Sequence, residues 1–243
     1  MRRFLLAVLA VFLIPALAAW STSAGAAEVC GDVNDSGEVS ATDALLVLRK
    51  GVGQDVNLQC GPSAQALATG QTQSYGNGTD GDLESGAARA FTDNGDGTIT
   101  DESTGLMWEK KDRAGGIHDW GNTYTWTVGS NAFNGSVALT FLATLNATEF
   151  AGYDDWRLPN LRELATLPDY GELEPAAFDP FHVGCEPGCT VLTCSCTAPD
   201  GHWTSSTSRE DDSDAWRVHF FAGGIGAVAK TTAIAARAVR GPL

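Results

Sequence analysis

A twelve-residue stretch near the amino end of the chain, residues 32–43, carries oxygen atoms at regular intervals. The side-chain oxygens belong to Asp32, Asn34, Ser36, Ser40 and Asp43, Glu38 offers its backbone carbonyl, and Gly37 occupies the sixth position. Calcium takes six to eight oxygen ligands at about 2.3–2.6 Å, and this spacing wraps the chain around one ion. The loop is therefore predicted to bind Ca2+, with Asp43 as the closing carboxylate. An acidic turn that caps the following helix without metal is the alternative.

The residues around this loop also match a known repeat. They are Gly31-Asp32-Val33-Asn34, Gly37, Val39 and Asp43, followed by Leu45-Leu46 and Leu48-Arg49. The segment resembles a dockerin type I repeat, a calcium-loaded, EF-hand-like module that docks onto cohesins. The resemblance implies the same calcium ligands and a cohesin-like partner. It places the partner-binding surface at Ala41, Thr42, Leu48, Arg49 and Lys50. Dockerins carry two such repeats, whereas this chain shows one, at residues 31–53.

The first 26 residues have the features of a secretory signal peptide. Met1-Arg2-Arg3 is positively charged, residues 4–19 are almost wholly apolar, and small residues follow with a cleavage site after Ala26. An uncleaved membrane anchor is the alternative, but the apolar run is short and Pro15 interrupts it. We therefore expect a secreted bacterial protein, extracellular or at the cell surface, with no membrane insertion after cleavage.

Export brings the six cysteines into an oxidising compartment, which favours three disulfides. A Cys30–Cys60 bridge would enclose the calcium-loop segment and stabilise it by roughly 3 kcal/mol. Cys185, Cys189, Cys194 and Cys196 crowd together, and the last two are too close to bridge each other. We predict the nested pairs Cys185–Cys196 and Cys189–Cys194, with the other pairing left open. Zinc is disfavoured because paired C-x2-C spacings are missing.

The composition indicates a folded and acidic chain. Of 243 residues, 43% are hydrophobic and 19% are charged, and 15 Lys and Arg face 30 Asp and Glu, for a formal net charge of −15. Without a basic stripe the protein cannot displace phosphate counterions, which argues against nucleic acid as a partner. The same charge disfavours anionic lipid surfaces and strongly sulfated polymers.

Length allows one domain of about 150 residues plus a small module. We expect a signal peptide at 1–26, the dockerin-like module at 28–62, an exposed linker rich in Gly, Ser, Thr, Gln and Asn at 63–88, and a second domain at 89–243.

Periodicity predicts the elements of the second domain. Residues 90–101 alternate around an Asn-Gly and Asp-Gly turn and predict a β-hairpin. A second calcium loop there is the less favoured alternative, because its glycine intervals fit poorly. Helices are predicted at 136–150 and 161–167, the latter with Asn160 as its N-cap. Further strands are predicted at 104–109, 202–205, 215–220, 225–229 and 235–240.

Four residue groups follow one another in this domain. They are Asp96-Gly97-Thr98-Ile99-Thr100-Asp101 with Thr104-Gly105-Leu106-Met107-Trp108; Gly152-Tyr153 with Asp155-Trp156-Arg157-Leu158-Pro159-Asn160 and Glu163-Leu164; Trp203-Thr204-Ser205-Ser206; and Arg237-Ala238-Val239-Arg240. Together they resemble the Lcl C-terminal domain family over about residues 67–243. The resemblance implies an α+β, C-type lectin-like domain with twisted antiparallel strands and two helices. It also implies a surface or secreted role, which in the adhesin that gives the family its name is glycosaminoglycan binding. It implies no catalytic residues.

Tryptophans are the best candidates for ligand contacts, because their rings can stack on sugars. Trp120 and Trp126 lie in an irregular stretch rich in Gly, Asn and Thr, so we expect them to be exposed and ligand-binding. The alternative is that they anchor the core and its turns, as we expect of the other tryptophans in the domain.

The combined features predict a secreted, non-catalytic binding or adhesion protein that recognises a glycan or another cell-surface ligand. One alternative is a dockerin-bearing component of a polysaccharide-degrading (O-glycosyl hydrolase) system, since the separation of two catalytic carboxylates is invisible in sequence. The other alternative is a structural envelope protein.

The calcium loop gives a direct prediction. Asp32→Ala or Asp43→Ala should abolish calorimetric Ca2+ binding by a fragment of residues 28–62, because each change removes a carboxylate from the first or last ligand position. Unchanged binding in both variants would place the ion elsewhere.

Overall fold

The computed structural model describes residues 66–129 and 131–241, together with Ala44, Leu45, Leu48 and Arg49. The chain divides into two units, Met1–Ala64 and Gln65–Leu243. In the first unit the four described residues are helical and exposed. The signal peptide, the predicted calcium ligands, the Cys30–Cys60 pair and the predicted partner residues Ala41, Thr42 and Lys50 lie outside the described residues.

The second unit is a mixed α+β domain with antiparallel sheets and few helices. Its first sheet has the order β1-β2-β3-β9 and contains β1 (Phe91–Asp93), β2 (Thr98–Asp101), β3 (Leu106–Glu109) and β9 (Val239–Arg240). The second sheet contains β5 (Gly201–Thr207), β6 (Asp214–His219) and β7 (Gly224–Ala229) in sequence order. The two-residue strands β4 (Tyr124–Thr125) and β8 (Ala233–Ile234) form a third pair.

The predicted β1–β2 hairpin is confirmed, and Phe91 pairs with Asp101. Its turn side chains bond to the turn itself: Asp96 Oδ1 accepts the Thr98 N–H at 3.0 Å and the Thr98 hydroxyl at 2.6 Å. Asp93 accepts the Gly95 N–H at 3.0 Å and pairs with Lys110 at 2.7 Å. Both carboxylates are therefore bonded within the hairpin and to Lys110.

The helices are shorter than the sequence predicted. They are α1 (Asp80–Leu83), a π-helical stretch Val137–Leu142 that runs into α2 (Ala143–Ala147), a 3-10 turn Phe150–Gly152, and α3 (Leu161–Leu164). Asn160 caps α3 as predicted, in a full capping box with Glu163. The helix ends after one turn, at Leu164, and Pro168 disfavours helical backbone at Leu167.

Two hydrophobic clusters fill the domain. The first surrounds Trp126, Trp156, Trp203 and Phe141, beneath the π-helical stretch and α2. The second surrounds Trp108, Phe181 and Phe220 together with Leu164 of α3. Each indole carries a large apolar area into the core, so most of the tryptophans after residue 100 are explained by packing.

A buried ionic cluster lies at the end of β3. The Glu109 carboxylate is fully buried and lies 2.9 Å from the Lys111 ammonium and 2.8 Å from His118 Nδ1. Its second oxygen accepts the Ala238 N–H at 3.0 Å. The Lys111 contact lacks hydrogen-bond geometry, and the ammonium also lies 4.0 Å from the Phe141 ring centre. Burial raises the pKa of Glu109, but Lys111 and His118 outweigh it, so the group stays ionised.

Arg237 joins the same cluster to the cysteine-rich loop. Its guanidinium is buried and donates to the Glu109 carbonyl at 2.7 Å, the Cys196 carbonyl at 2.7 Å and the Thr197 hydroxyl at 2.8 Å. Burial lowers the pKa of Arg237 to about 10 despite the attraction of Glu109, so it remains a cation at neutral pH. Arg237 therefore links the end of β3 to the cysteine-rich loop.

The cysteine-rich loop has the nested pairing. Cys185 bonds Cys196 and Cys189 bonds Cys194, with Cα–Cα distances of 5.3 and 6.0 Å. Arg113 holds the outer part of this loop through its own N–H, which donates to the Cys189 carbonyl at 3.1 Å. Among the residues that the structure describes, no helix has the length and apolar character that crossing a bilayer would need.

The buried cluster predicts a large stability effect. Glu109→Gln should lower the free energy of unfolding by about 3–5 kcal/mol, because it leaves the Lys111 charge buried without a counter-ion. Urea denaturation measures this change. Asp155→Asn, which breaks the more exposed pair with Arg240, is the control and should cost less than about 1 kcal/mol.

Adding Lys111→Met to Glu109→Gln should restore part of the loss, since the orphaned charge is then removed. Equal effects of Glu109→Gln and Asp155→Asn would show that the cluster does not stabilise the fold.

Candidate functional site

The residues of the longest sequence motif hold the domain together. The Trp156 indole N–H donates to the Phe150 carbonyl at 3.0 Å, and Arg157 makes a two-pronged pair with Glu163 at 2.8 Å for each contact. Glu163 also accepts the Asn160 N–H at 2.7 Å as part of the α3 cap. Burial raises the pKa of Glu163, but the bonds from Arg157 and Asn160 outweigh it and lower the pKa below its ordinary value.

The last motif, residues 237–240, is also bonded within the protein. Arg240 pairs with Asp155 at 2.7 Å, and its guanidinium lies 3.6 Å from the centre of the Tyr153 ring. Val239 exchanges two backbone bonds with Arg157, at 2.9 and 3.0 Å. The motif that begins at Gly152 and the motif that ends at Arg240 therefore bind each other, and their charged side chains already have partners within the protein.

A cleft of about 580 Å³ lies along these motif residues. Phe133, Trp156, Asn160, Glu163 and Ser205 are among its lining residues. The charged groups in it, Arg157 and Glu163, neutralise each other at hydrogen-bond distance. A ligand would have to break that pair to gain a charged contact, which makes the cleft a poor polar binding site.

The prediction that Trp126 is exposed is wrong. Its side chain is 6% exposed and packs in the first hydrophobic cluster. The indole N–H donates to the Thr204 carbonyl at 3.1 Å, and the Lys230 ammonium lies 4.3 Å from the ring centre. With its polar atom bonded and its ring covered, Trp126 is a core anchor, which is the alternative that the sequence left open.

Trp120 has the more open position that the sequence predicted for it. It is half-buried and lines a pocket of about 280 Å³ that does not include Trp126. The other lining residues are Gly121, Thr123, Ala198, Asp200, Gly201, Arg217, Ala233, Ile234 and Ala235, and we call this site the Trp120 pocket. The Arg113 guanidinium lies 5.3 Å from the Trp120 ring centre and steadies the indole by a cation–π contact.

The structure brings together residues that are far apart in the chain. The loop before β4 supplies Trp120 and Thr123, the start of β5 supplies Asp200 and Gly201, and β6 supplies Arg217. Within the described residues, neither the Asp200 carboxylate nor the Arg217 guanidinium has a hydrogen-bond or ion-pair partner among the side chains. The pocket therefore combines an aromatic ring with one carboxylate and one guanidinium that have no side-chain partner among the described residues.

Such a combination suits reversible binding of a small polar ligand. Ligand sites are concave and hold a few well-placed polar groups in an otherwise apolar wall. The volume lies just below the ~300–1,000 Å³ found for sites of drug-sized ligands, so it matches a smaller group of the size of one sugar ring. Sequence reasoning found Trp120 but missed Asp200 and Arg217, because neither belongs to a motif.

These contacts define a disulfide-bonded α+β domain. The residues of its sequence motifs bind one another and stabilise the fold. Residues 97–240 match the family described as the Lcl C-terminal domain, and this match spans more than half of the chain. The chain therefore belongs to the Lcl C-terminal domain family. No curated protein matches the chain. Family membership and the two disulfides are consistent with an extracellular, non-catalytic protein.

Next to the pocket, His202 gives the domain a pH-dependent stability. The side chain is buried, and burial, together with the charges of Arg237 and Lys111, lowers its pKa from 6.5 to about 3. The folded protein holds this histidine neutral, whereas the unfolded chain takes up a proton below about pH 6.5. The stability that depends on a neutral His202 is fully present above about pH 6.5, and it is lost as the pH falls toward 3.

We therefore expect His202→Gln to reduce the fall in unfolding free energy between pH 6.5 and about 3. Urea titrations at a series of pH values measure the slope. An unchanged slope in His202→Gln would show that this residue does not take part in the acid response.

Proposed function

We propose that this protein is a secreted, non-catalytic binding or adhesion protein that recognises a glycan on a cell surface or in a polysaccharide. The Trp120 pocket is the observation that supports the proposal. It offers a partly open indole for a sugar face and free polar groups for hydroxyls, without requiring a charged polymer.

The net charge favours glycans of low charge density. At −15 the chain repels a polyanion as a whole, and this repulsion acts over roughly 8–10 Å at ordinary ionic strength. A neutral or weakly charged polysaccharide carries no such penalty. Heparin-like polymers, in contrast, would need a basic face that the composition does not provide.

In the same proposal the amino-terminal module is a Ca2+-loaded, dockerin-like unit. The spacing of the oxygen atoms in residues 32–43 supports the calcium site, and the repeat pattern supports a cohesin-like protein as its partner. The glycan-binding domain would then be attached to its place of action by the small module.

Binding to a glycan and polysaccharide array tests the proposal with the mature chain. We expect binding to a neutral or weakly charged polysaccharide that added salt barely changes, and Trp120→Ala should weaken it several-fold, because stacking on the indole is lost. Trp216→Ala, at a half-exposed tryptophan outside the pocket, is the matched control and should bind normally.

Three results would contradict the proposal. Tight, salt-sensitive heparin binding would show that net charge does not govern the choice of ligand. Release of reducing sugar over many turnovers would identify an enzyme of a polysaccharide-degrading system. If the protein binds none of the glycans and polysaccharides on the array, a structural envelope role is the better account.

A further inference from the structure

The Arg217 side chain is distinguished from the other arginines by the lack of an acceptor. Within residues 66–241, the half-buried or buried arginines at 89, 113, 157, 237 and 240 each donate to a carboxylate or a carbonyl. Those at 162 and 209 are exposed to water. Arg217 alone in this part of the chain is half-buried and has no acceptor for its guanidinium among the described residues.

Gly201 provides the space in which this guanidinium lies. A Cβ atom at this position would lie 2.7 Å from Arg217 Cδ and 2.9 Å from Nη1, which is closer than real contacts allow. The glycine lets the side chain lie close against the first residue of β5, at the wall of the pocket. Arg217 therefore lies along Gly201 at the wall of the Trp120 pocket.

A planar guanidinium held in this way is complementary to a carboxylate. The two groups form parallel hydrogen bonds, which are stronger than neutral ones and fix the orientation of the ligand. The ligand group that best fits Arg217 is an anion with two coplanar oxygens.

The rest of the pocket fits a sugar ring. Asp200 can accept hydrogen bonds only, so it suits the hydroxyl groups of a pyranose. Trp120 offers its ring to the apolar C–H face of that pyranose. The net charge of −15 opposes a densely charged polymer. We therefore expect each sugar residue that the pocket binds to carry one carboxylate.

We propose that the Trp120 pocket binds a pyranose that carries a single carboxylate, with Arg217 binding the carboxylate, Asp200 binding hydroxyl groups and Trp120 stacking on the ring. This inference rests on the proposed glycan-binding function and names the chemical class of its ligand. Two kinds of glycan carry such a residue: polysaccharides that contain uronic acids, and cell-surface glycans that end in sialic acid.

The test compares two acidic sugars with a neutral one, and the glucuronide differs from the neutral glucoside only at C6. Methyl β-D-glucuronide, the methyl glycoside of N-acetylneuraminic acid and neutral methyl β-D-glucoside are titrated into the mature protein and followed by NMR shifts of the indole N–H signals. We expect one of the two acidic glycosides to bind at least roughly tenfold more tightly than the glucoside, as a charged hydrogen bond allows. The acid that binds identifies the source of the ligand.

Variants then assign the contact. Arg217→Gln should remove the preference for the acidic sugar, whereas Arg209→Gln, which loses the same charge at an exposed loop position, should bind like the wild type. Gly201→Ala keeps every charge but displaces Arg217, so it should also weaken binding of the acid. Trp120→Ala should weaken binding of acidic and neutral sugars alike.

The outcomes separate this inference from the function on which it rests. If the glucoside binds as well as both acids, or if Arg217→Gln keeps the acid preference, the carboxylate assignment is overturned while glycan binding stands. If Arg209→Gln and Arg217→Gln lose the same affinity, general charge and not the pocket is responsible, and the inference is again overturned. Binding of no sugar in either the titrations or the array overturns both.

Discussion

A carboxylate with no access to water is the constraint on which the domain depends. Glu109 could not remain ionised in the core without Lys111, His118 and the Ala238 N–H around it, because an isolated buried charge costs several kcal/mol. Meeting that requirement fixes where β3 and the carboxyl-terminal strand lie. Arg237 extends the constraint by binding the Glu109 carbonyl and the end of the cysteine-rich loop. A single polar centre thus positions three segments that are distant in sequence.

The motifs that identify the family are bonded to one another. Arg157 is held by Glu163, Arg240 by Asp155, and Trp156 by the Phe150 carbonyl. Residues that are satisfied within the protein have little left to offer a ligand. The groups available for recognition are those outside the motifs, which is why Trp120, Asp200 and Arg217 define the candidate site while the longest motif lines a cleft whose charges are already neutralised.

Local sequence signals predicted local structure well. The β1–β2 hairpin, the Asn160 cap and the nested cysteine pairs each follow from residues that are close in the chain. What the sequence could not show depends on long-range packing. Trp126 lies in a stretch rich in Gly, Asn and Thr, yet β5 covers it and accepts its N–H bond. Arg237 is charged, yet it is buried because three acceptors converge on it. The pocket itself joins residues 120–123 to residues between 198 and 235, and no spacing rule connects them.

The nested disulfides also determine how the protein would withstand proteases outside the cell. A cut between Cys189 and Cys194 leaves the two ends joined by the inner bridge. A cut on either side of that pair, still between Cys185 and Cys196, leaves them joined by the outer bridge. Arg237 and Arg113 hold the backbone of both flanks in place at the same time. The exposed tip of this loop can therefore be nicked, and can accommodate changes in its sequence, without releasing either half of the domain.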